Sequence, residues 1–214
     1  MDNVEIIIAV DASIGLDLTT LDSVLKHTNC DYDLNLLVNN PTKDVIGFLS
    51  NSKLEFHVTK LDDNRYKVWN YGHEMSDAEY VCFLPDSGMI VLENWLTHMM
   101  KHSSKNTIIA PHIFTNDKVL FDFWNGSFTY IKEPISPHQE KQMEQFAKNI
   151  EGEYSNQTDD NIWLRPWLVH RETFVGWCTD QPHPANMDVV TLNILKHSNT
   201  TFIHALDSCV ILFN

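Results

Sequence analysis

The sequence predicts an α/β fold: a Rossmann-like, mostly parallel central sheet flanked by helices, in one domain of 214 residues. Three observations carry this. Short apolar runs, 4–10, 34–38 and 80–84, each stop at a cluster of turn residues. Stretches with helical spacing separate them, and alternation of strand and helix signals a parallel sheet in a layered fold. The run 80–84 reads as a buried central strand, and it ends abruptly at Pro85-Asp86-Ser87-Gly88. Ligands in open α/β sheets sit outside the carboxyl ends of strands. Asp86 is therefore placed where a ligand would be, although an acid there also serves simply to start a turn.

The elements follow in order. The β-branched run Val4 to Val10 is a buried strand ended by Asp11-Ala12-Ser13. Thr19 or Thr20 caps a helix through Leu21, Val24 and Leu25. A turn over 29–33 leads to a second strand, 34–38, closed by Asn39-Asn40-Pro41-Thr42. A short helix over 43–50 and a third strand over 54–58 come next. Residues 62–72 run from loop into helix, 91–102 form a helix, and 107–110 form another strand. The second half is less regular. Residues 119–131 read as an aromatic-rich strand pair around Asn125-Gly126, 138–150 as an amphipathic helix, and 151–161 as a polar, mobile loop. A strand over 163–169, a helix start at His170-Arg171, a helix over 187–196 and two terminal strands, 201–206 and 209–213, complete the chain.

Composition narrows the function classes. Hydrophobic residues make up 43% and charged residues 21%, as in a globular core-forming chain. Fifteen Lys plus Arg stand against 29 Asp plus Glu, a formal charge of −14. That balance opposes broad electrostatic binding to nucleic acid or anionic membrane. Cys30, Cys82, Cys178 and Cys209 form no C-x-x-C pair, and Cys82 and Cys209 sit in strand-like runs as buried thiols. The run Ile6-Ile7-Ile8-Ala9-Val10 is too short for a signal-peptide core or a membrane span, so a cytoplasmic, unanchored protein is expected. Asp11 to Gly15 contains no G-x-G-x-x-G, which argues against a dinucleotide-dependent dehydrogenase.

Several landmarks fall in one order: Ala9-Val10-Asp11, Leu36-Leu37-Val38-Asn39-Asn40-Pro41-Thr42, Lys67-Val68-Trp69-Asn70-Tyr71-Gly72, Phe83-Leu84-Pro85-Asp86-Ser87, Phe174-Val175-Gly176-Trp177 and Asn186-Met187-Asp188. This order resembles the glycosyltransferases with the A-type, nucleotide-sugar-binding fold, especially the family 2 type. The resemblance spans nearly the whole chain. It implies transfer of a sugar from a nucleotide-diphosphate donor, UDP favoured, to an acceptor hydroxyl. It also implies a donor-binding half over 1–110 and an acceptor-binding half over 111–214.

The resemblance assigns roles by position. Ala9 and Asp11 would lie against base and ribose, and Asn39 and Asn40 near the base. The family often carries an acid at one of those two positions, so the asparagines imply altered contacts. Arg65, Lys67 and Asn70 would line the nucleotide pocket, where a lysine opposes phosphate charge; a solvated helix face is the plainer role for Lys67. Asp86, with Ser87, falls at the family's Asp-x-Asp metal motif but offers one carboxylate. Mg²⁺ or Mn²⁺ can be held by one carboxylate, diphosphate oxygens and waters. Without a metal, Arg65 or Lys67 would have to stabilise the leaving diphosphate.

Asp188 falls at the family's catalytic acid. Inverting transfer needs one general base to take the acceptor's proton, whereas a helix-start Asp also serves as a capping charge. The late metal-ligating His of the family is missing; His204 lies nearby, in a strand-like run that suits a core or surface His. Trp124, Trp177 and His183 are acceptor-side candidates, since aromatic faces stack on sugars and on bases alike. The acceptor stays open between a glycan, a protein, a small molecule and a hydroxylated base in DNA. The last would need a local patch such as Lys101, Lys105, Lys118, Arg165 and Arg171. A catalytically silent nucleotide-sugar-binding module is the alternative from another class.

Overall fold

A computed structural model describes residues 3–13, 15–62, 64–85, 88–115, 128–130, 145, 157–158, 166–180 and 184–212. The strands are β1 (Val4–Asp11), β2 (Asp33–Asn39), β3 (His57–Thr59), β4 (Tyr80–Pro85), β5 (Met89–Val91), β6 (Thr107–Thr115), β7 (Phe128–Tyr130), β8 (Gln157–Thr158), β9 (Trp167–His170) and β10 (Thr201–Leu212). The helices are α1 (Thr19–His27), α2 (Lys43–Ser52), α3 (Arg65–Met75), α4 (Trp95–Met100) and α5 (Pro184–His197).

All the strands join one sheet of order β3-β2-β1-β4-β9-β6-β10-β5, with β7 on β6 and β8 on β10. The β3-β2-β1-β4 half is parallel throughout. Strand β9 is antiparallel to both β4 and β6, so β6 runs in the same direction as β4. Strand β10 is parallel to β6. The carboxyl ends of β1, β2, β3, β4, β6 and β10 therefore share one edge. The sheet is mixed: its parallel half is the one expected, and β9 supplies the reversal.

Two-residue periodicity sends alternate side chains to opposite faces. Ile6, Ile8, Val10, Leu36 and Val38 face α1, α2 and α4, where Leu21, Leu49, Trp95 and Met99 meet them. Ile7, Ala9, Leu37 and Phe83 face the other side, against Trp69 of α3, Trp177, and Leu192 and Leu195 of α5. With both faces covered, β1 and β4 read as continuous apolar runs. Gly72 lets α3 approach the sheet closely. A Cβ there would lie 2.7 Å from Ile7 Cγ2 and from Leu37 Cδ1.

Several boundaries differ from expectation. Thr19 and Thr20 do not cap α1. Asp17 Oδ1 instead accepts from Thr19 N at 2.9 Å, and buried Thr20 donates Oγ1 to the Met89 carbonyl. Helix α4 starts only at Trp95, because Asn94 is left-handed (φ 64°). Strand β3 is shorter than expected, and Leu54 and Phe56 pack on the core before it begins. Gln157-Thr158, expected in a loop, pairs with Ile203 and His204. The two expected terminal strands are one strand with a bulge between Ala205 and Cys209. His170-Arg171 opens a turn, not a helix. The strand pair over 119–131 is described only at β7, and the helix over 138–150 only at Gln145, which is helical.

All four cysteines are free thiols, and burial pushes the Cys82 thiol far up. No helix among the described residues is long and apolar enough to cross a membrane. His204 is buried in β10, its ring stacked on His112 of β6 at 5.3 Å. Burial, then the neighbouring His204, pushes His112 down from 6.5 to about 4. An unfolded chain thus takes up a proton that the folded chain refuses. The stability tied to neutral His112 is fully present above about pH 6.5 and is lost progressively as pH falls towards 4. The expected loss is about 3 kcal/mol. Urea unfolding of wild type and His112→Phe between pH 7 and 4 checks this, since the variant lacks that part of the slope. Equal slopes would discard the assignment.

Candidate functional site

The shared carboxyl edge gathers the sequence-predicted donor residues of β1 and β2. Asp11, the last residue of β1, is in register with Asn39, the last of β2. Ala9 is flanked by Leu37 and by Pro85, the last residue of β4. Asp11 is exposed, and its Oδ1 accepts from Ser13 N at 3.1 Å, which shapes the loop after β1. Ala9 is buried, in the core cluster that also holds Leu37 and Phe83. Asp86 and Ser87 follow directly on Pro85 and lie outside the described residues, as do Trp124 and His183.

The two asparagines have structural partners that the sequence did not announce. Asn39 is buried, and its Oδ1 accepts from Thr59 Oγ1 (3.0 Å) and Leu61 N (2.9 Å). Its Nδ2 donates to the Leu61 and Asp62 carbonyls at 3.3 and 3.5 Å. Asn40 adds a 2.8 Å bond from Nδ2 to the Leu61 carbonyl. An asparagine amide offers two donors and an acceptor oxygen. That of Asn39 is spent on holding the loop between β3 and α3.

That loop delivers the N-terminus of α3. Asn64 caps it, with Oδ1 accepting from Tyr66 N at 3.0 Å. Arg65 follows in the first turn and is exposed. Lys67 Nζ pairs with Asp62 Oδ2 at 2.5 Å, and both are solvent-accessible. The hydrogen bond and charge of Lys67 hold the Asp62 carboxyl below its ordinary value.

Asn70, expected in the nucleotide pocket, is occupied elsewhere. Its Nδ2 donates to the Trp177 carbonyl at 2.9 Å, and its Oδ1 accepts from Trp177 N at 2.7 Å. Trp177 itself is 3% exposed. Its ring stacks on Trp167 at 4.7 Å and meets Tyr66, Trp69, Phe83 and Phe174 within 5.2–5.6 Å. The tryptophan expected as an acceptor platform is a core residue, because sheet and helix enclose its ring. Next to it, Cys178 N donates to Thr191 Oγ1 of α5 at 2.8 Å.

Helix α5 carries Asp188. The helix begins at Pro184, earlier than expected, and has no acid in its first turn. Asp188, the fifth helical residue, is therefore not its capping charge. Met187 is buried, and Asn64 Nδ2 reaches its Sδ at 3.7 Å. The first half of α5 thus lies beside the start of α3. Nothing in the local pattern signalled this contact, which joins positions 123 residues apart. Among the described residues, no group of three or more His, Cys, Asp or Glu could hold a metal ion. Of the cations expected to form a DNA-facing patch, Lys105 pairs with Glu172 at 2.7 Å, and Arg171 Nε donates to the Ala78 carbonyl. Lys118 and Arg165 lie outside the described residues.

No protein-family model and no curated protein sequence matches the chain. Among solved structures, the chain is similar to the crystal structure of GalNAc-T7 with UDP, GalNAc and Mn²⁺, at a TM-score of 0.68 and 12% identity. The match covers 100% of this chain and 44% of that one, so this chain spans less than half the length of the protein it matches. The shared architecture is the glycosyltransferase A-type fold: an α/β domain with a mixed central sheet flanked by helices.

Proposed function

We propose that this chain is a glycosyltransferase, moving a sugar from a nucleotide-diphosphate donor to an acceptor hydroxyl. The observation that carries the proposal is the match, over the whole of this chain, to part of a solved protein of A-type fold that holds UDP, GalNAc and Mn²⁺. The edge geometry supports it, since the ends of β1, β2 and β4 meet where such a fold receives a ligand. The order of sequence landmarks favours the family 2 type within that fold. UDP is the favoured nucleotide, residues 1–110 are the donor half, and 111–214 the acceptor half.

In this reading the backbone at Ala9, the Asp11 loop and the loop held by Asn39 and Asn40 receive base and ribose. Arg65 and Lys67, at the positive end of α3, face the diphosphate. Asp86, with Ser87, is the ligand position for a divalent cation. A carboxylate is an oxygen donor suited to a hard cation, and diphosphate oxygens and water would complete the shell. Bound Mn²⁺ or Mg²⁺ would neutralise charge on the departing diphosphate. Asp188 takes the proton of the acceptor hydroxyl while that oxygen attacks the anomeric carbon. The bond from the anomeric carbon to the diphosphate oxygen breaks, and the nucleoside diphosphate leaves with the electron pair. Attack opposite the leaving group inverts the anomeric centre.

A thermal-shift panel of UDP-, GDP-, dTDP- and CDP-sugars, in Mn²⁺ and in EDTA, tests the proposal. A donor at about 100 times its dissociation constant adds roughly 2.7 kcal/mol. For a chain of this size that is an upward shift of about 5–10 °C. One nucleotide is expected to give that shift in Mn²⁺ and most of it to vanish in EDTA. Asp86→Ala should lose the Mn²⁺-dependent part alone. No shift with any donor, together with no donor hydrolysis, would overturn the proposal. Binding without hydrolysis or transfer would leave a silent nucleotide-sugar module instead.

A further inference from the structure

We infer that Asn70 is a positioning residue, which fixes the turn of α5 bearing Asp188 against the donor-side helix α3. The inference rests on the glycosyltransferase reading above. Asn70 holds both backbone polar groups of Trp177, at 2.7 and 2.9 Å. Such a pair of bonds constrains direction as well as distance, because the amide must lie in the plane of both partners. The next residue, Cys178, is bound through its N–H to Thr191 Oγ1 of α5. Thr191 is fully buried, and Asp188 lies one turn before it in the same helix. Two consecutive residues thus link two helices, α3 through Trp177 and α5 through Cys178. The Asn64–Met187 contact joins the same two helices a second time.

The segment has little freedom to compensate. Gly176 has φ +89°, and a Cβ there would sit 3.3 Å from Asn70 Oδ1. The chain is bent at that point by a conformation that favours glycine, and the Asn70 amide closes over the bend. On the other side the Trp177 ring is locked between Trp167 and Phe174. Loss of the clamp would leave the ring packed but free the backbone between it and α5. The general base would then lose its fixed distance to the donor, while the donor's own contacts at the strand ends would stay. A displacement of about 1 Å in reacting groups is enough to cost on the order of 10²-fold in rate.

The test uses the full chain with Asn70→Ala, Asn70→Asp and Thr191→Val. Hydrogen exchange without ligand should rise at least about tenfold over 174–180 in Asn70→Ala, a local opening. UDP binding in Mn²⁺ should stay within about threefold of wild type, and donor hydrolysis should lose at least about tenfold in kcat with KM little changed. Asn70→Asp keeps the acceptor for Trp177 N but sets a carboxylate oxygen against the Trp177 carbonyl, so it should behave like the alanine variant. Thr191→Val keeps shape, breaks the second link and should show a milder kcat loss. UDP affinity weakened tenfold with unchanged exchange would make Asn70 a donor ligand and overturn the inference. Faster local exchange with unchanged kcat would reduce the clamp to a structural tie and overturn it too, as would exchange rising evenly over the whole chain. A wild-type protein that neither binds nor hydrolyses a donor would remove the functional reading, and with it the role assigned to Asn70. That failure is distinguishable, because the ligand-free exchange result would still stand.

Discussion

Asp188→Asn is expected to abolish transfer, by about 10³-fold in kcat, with donor affinity within about threefold of wild type. The substitution keeps shape and removes only the ability to take up a proton. A base acts on the proton that moves in the transition state, so ground-state binding of the donor should not register its loss. The helix should not register it either. Asp188 is the fifth residue of α5, and the first turn holds no acid. The effect of a charge on the helix dipole falls off within the first turn, so the unfolding temperature should stay unchanged. Single-turnover transfer, donor titration and thermal unfolding on one preparation check all three. Retained transfer would remove Asp188 as the base, and a fall in stability equal to wild-type cap loss would return it to a capping role.

Trp69→Ala should give the largest loss of stability, about 4 kcal/mol, or a drop of roughly 10 °C in unfolding temperature. Trp69 is 1% exposed and lies against Tyr66, Phe83 and Trp177. Its Nε1 donates to the Leu84 carbonyl at 3.1 Å. Two effects therefore add: a cavity between α3 and the sheet, and a buried carbonyl without its donor. Trp69→Phe separates them. It retains most of the apolar volume and should cost about 1–2 kcal/mol for the lost hydrogen bond and smaller ring. Leu84 precedes Pro85 and Asp86, so the carbonyl at stake belongs to the end of β4. Both variants leave that carbonyl without its donor, so both should weaken Mn²⁺-dependent donor binding, the alanine variant more because its cavity also lets the strand end shift. Urea unfolding followed by circular dichroism reads the first quantity and donor titration the second. A loss below about 1 kcal/mol for alanine would mean that the cluster closes over the gap.

The parallel half of the sheet was legible because its determinants are local. Ile6-Ile7-Ile8 is buried on both faces, and a strand covered on both faces needs an unbroken apolar run whatever its neighbours are. Asp11, Asn39 and Pro85 end such runs, so their place on the sheet edge followed from chain order. Strand β9 was legible as a strand but not in direction. Four residues carry no record of which two strands they will enter between, and that choice is made by β4 and β6 flanking the gap. The bulged continuity of β10 was hidden likewise. Asp207 and Ser208 look like a turn, yet Ser208 Oγ bonds the Trp95 carbonyl and the Asp207 carbonyl accepts from His98 Nδ1.

For the candidate site, the sequence alone determined which residue types stand at the strand ends and near the start of α3: exposed Asp11 and Arg65, and the lysine at 67. Only the tertiary structure decided what the amides do. Asn39 is committed to Leu61, 22 residues away, and Asn70 to Trp177, 107 residues away. An amide chooses among partners by geometry, and those partners reach it only when the sheet and its helices have packed. Trp177 shows the same division. Its aromatic character was plain in the sequence, but whether an aromatic ring faces a ligand or the core depends on what covers it. Here Trp167, Phe174 and Trp69 cover it.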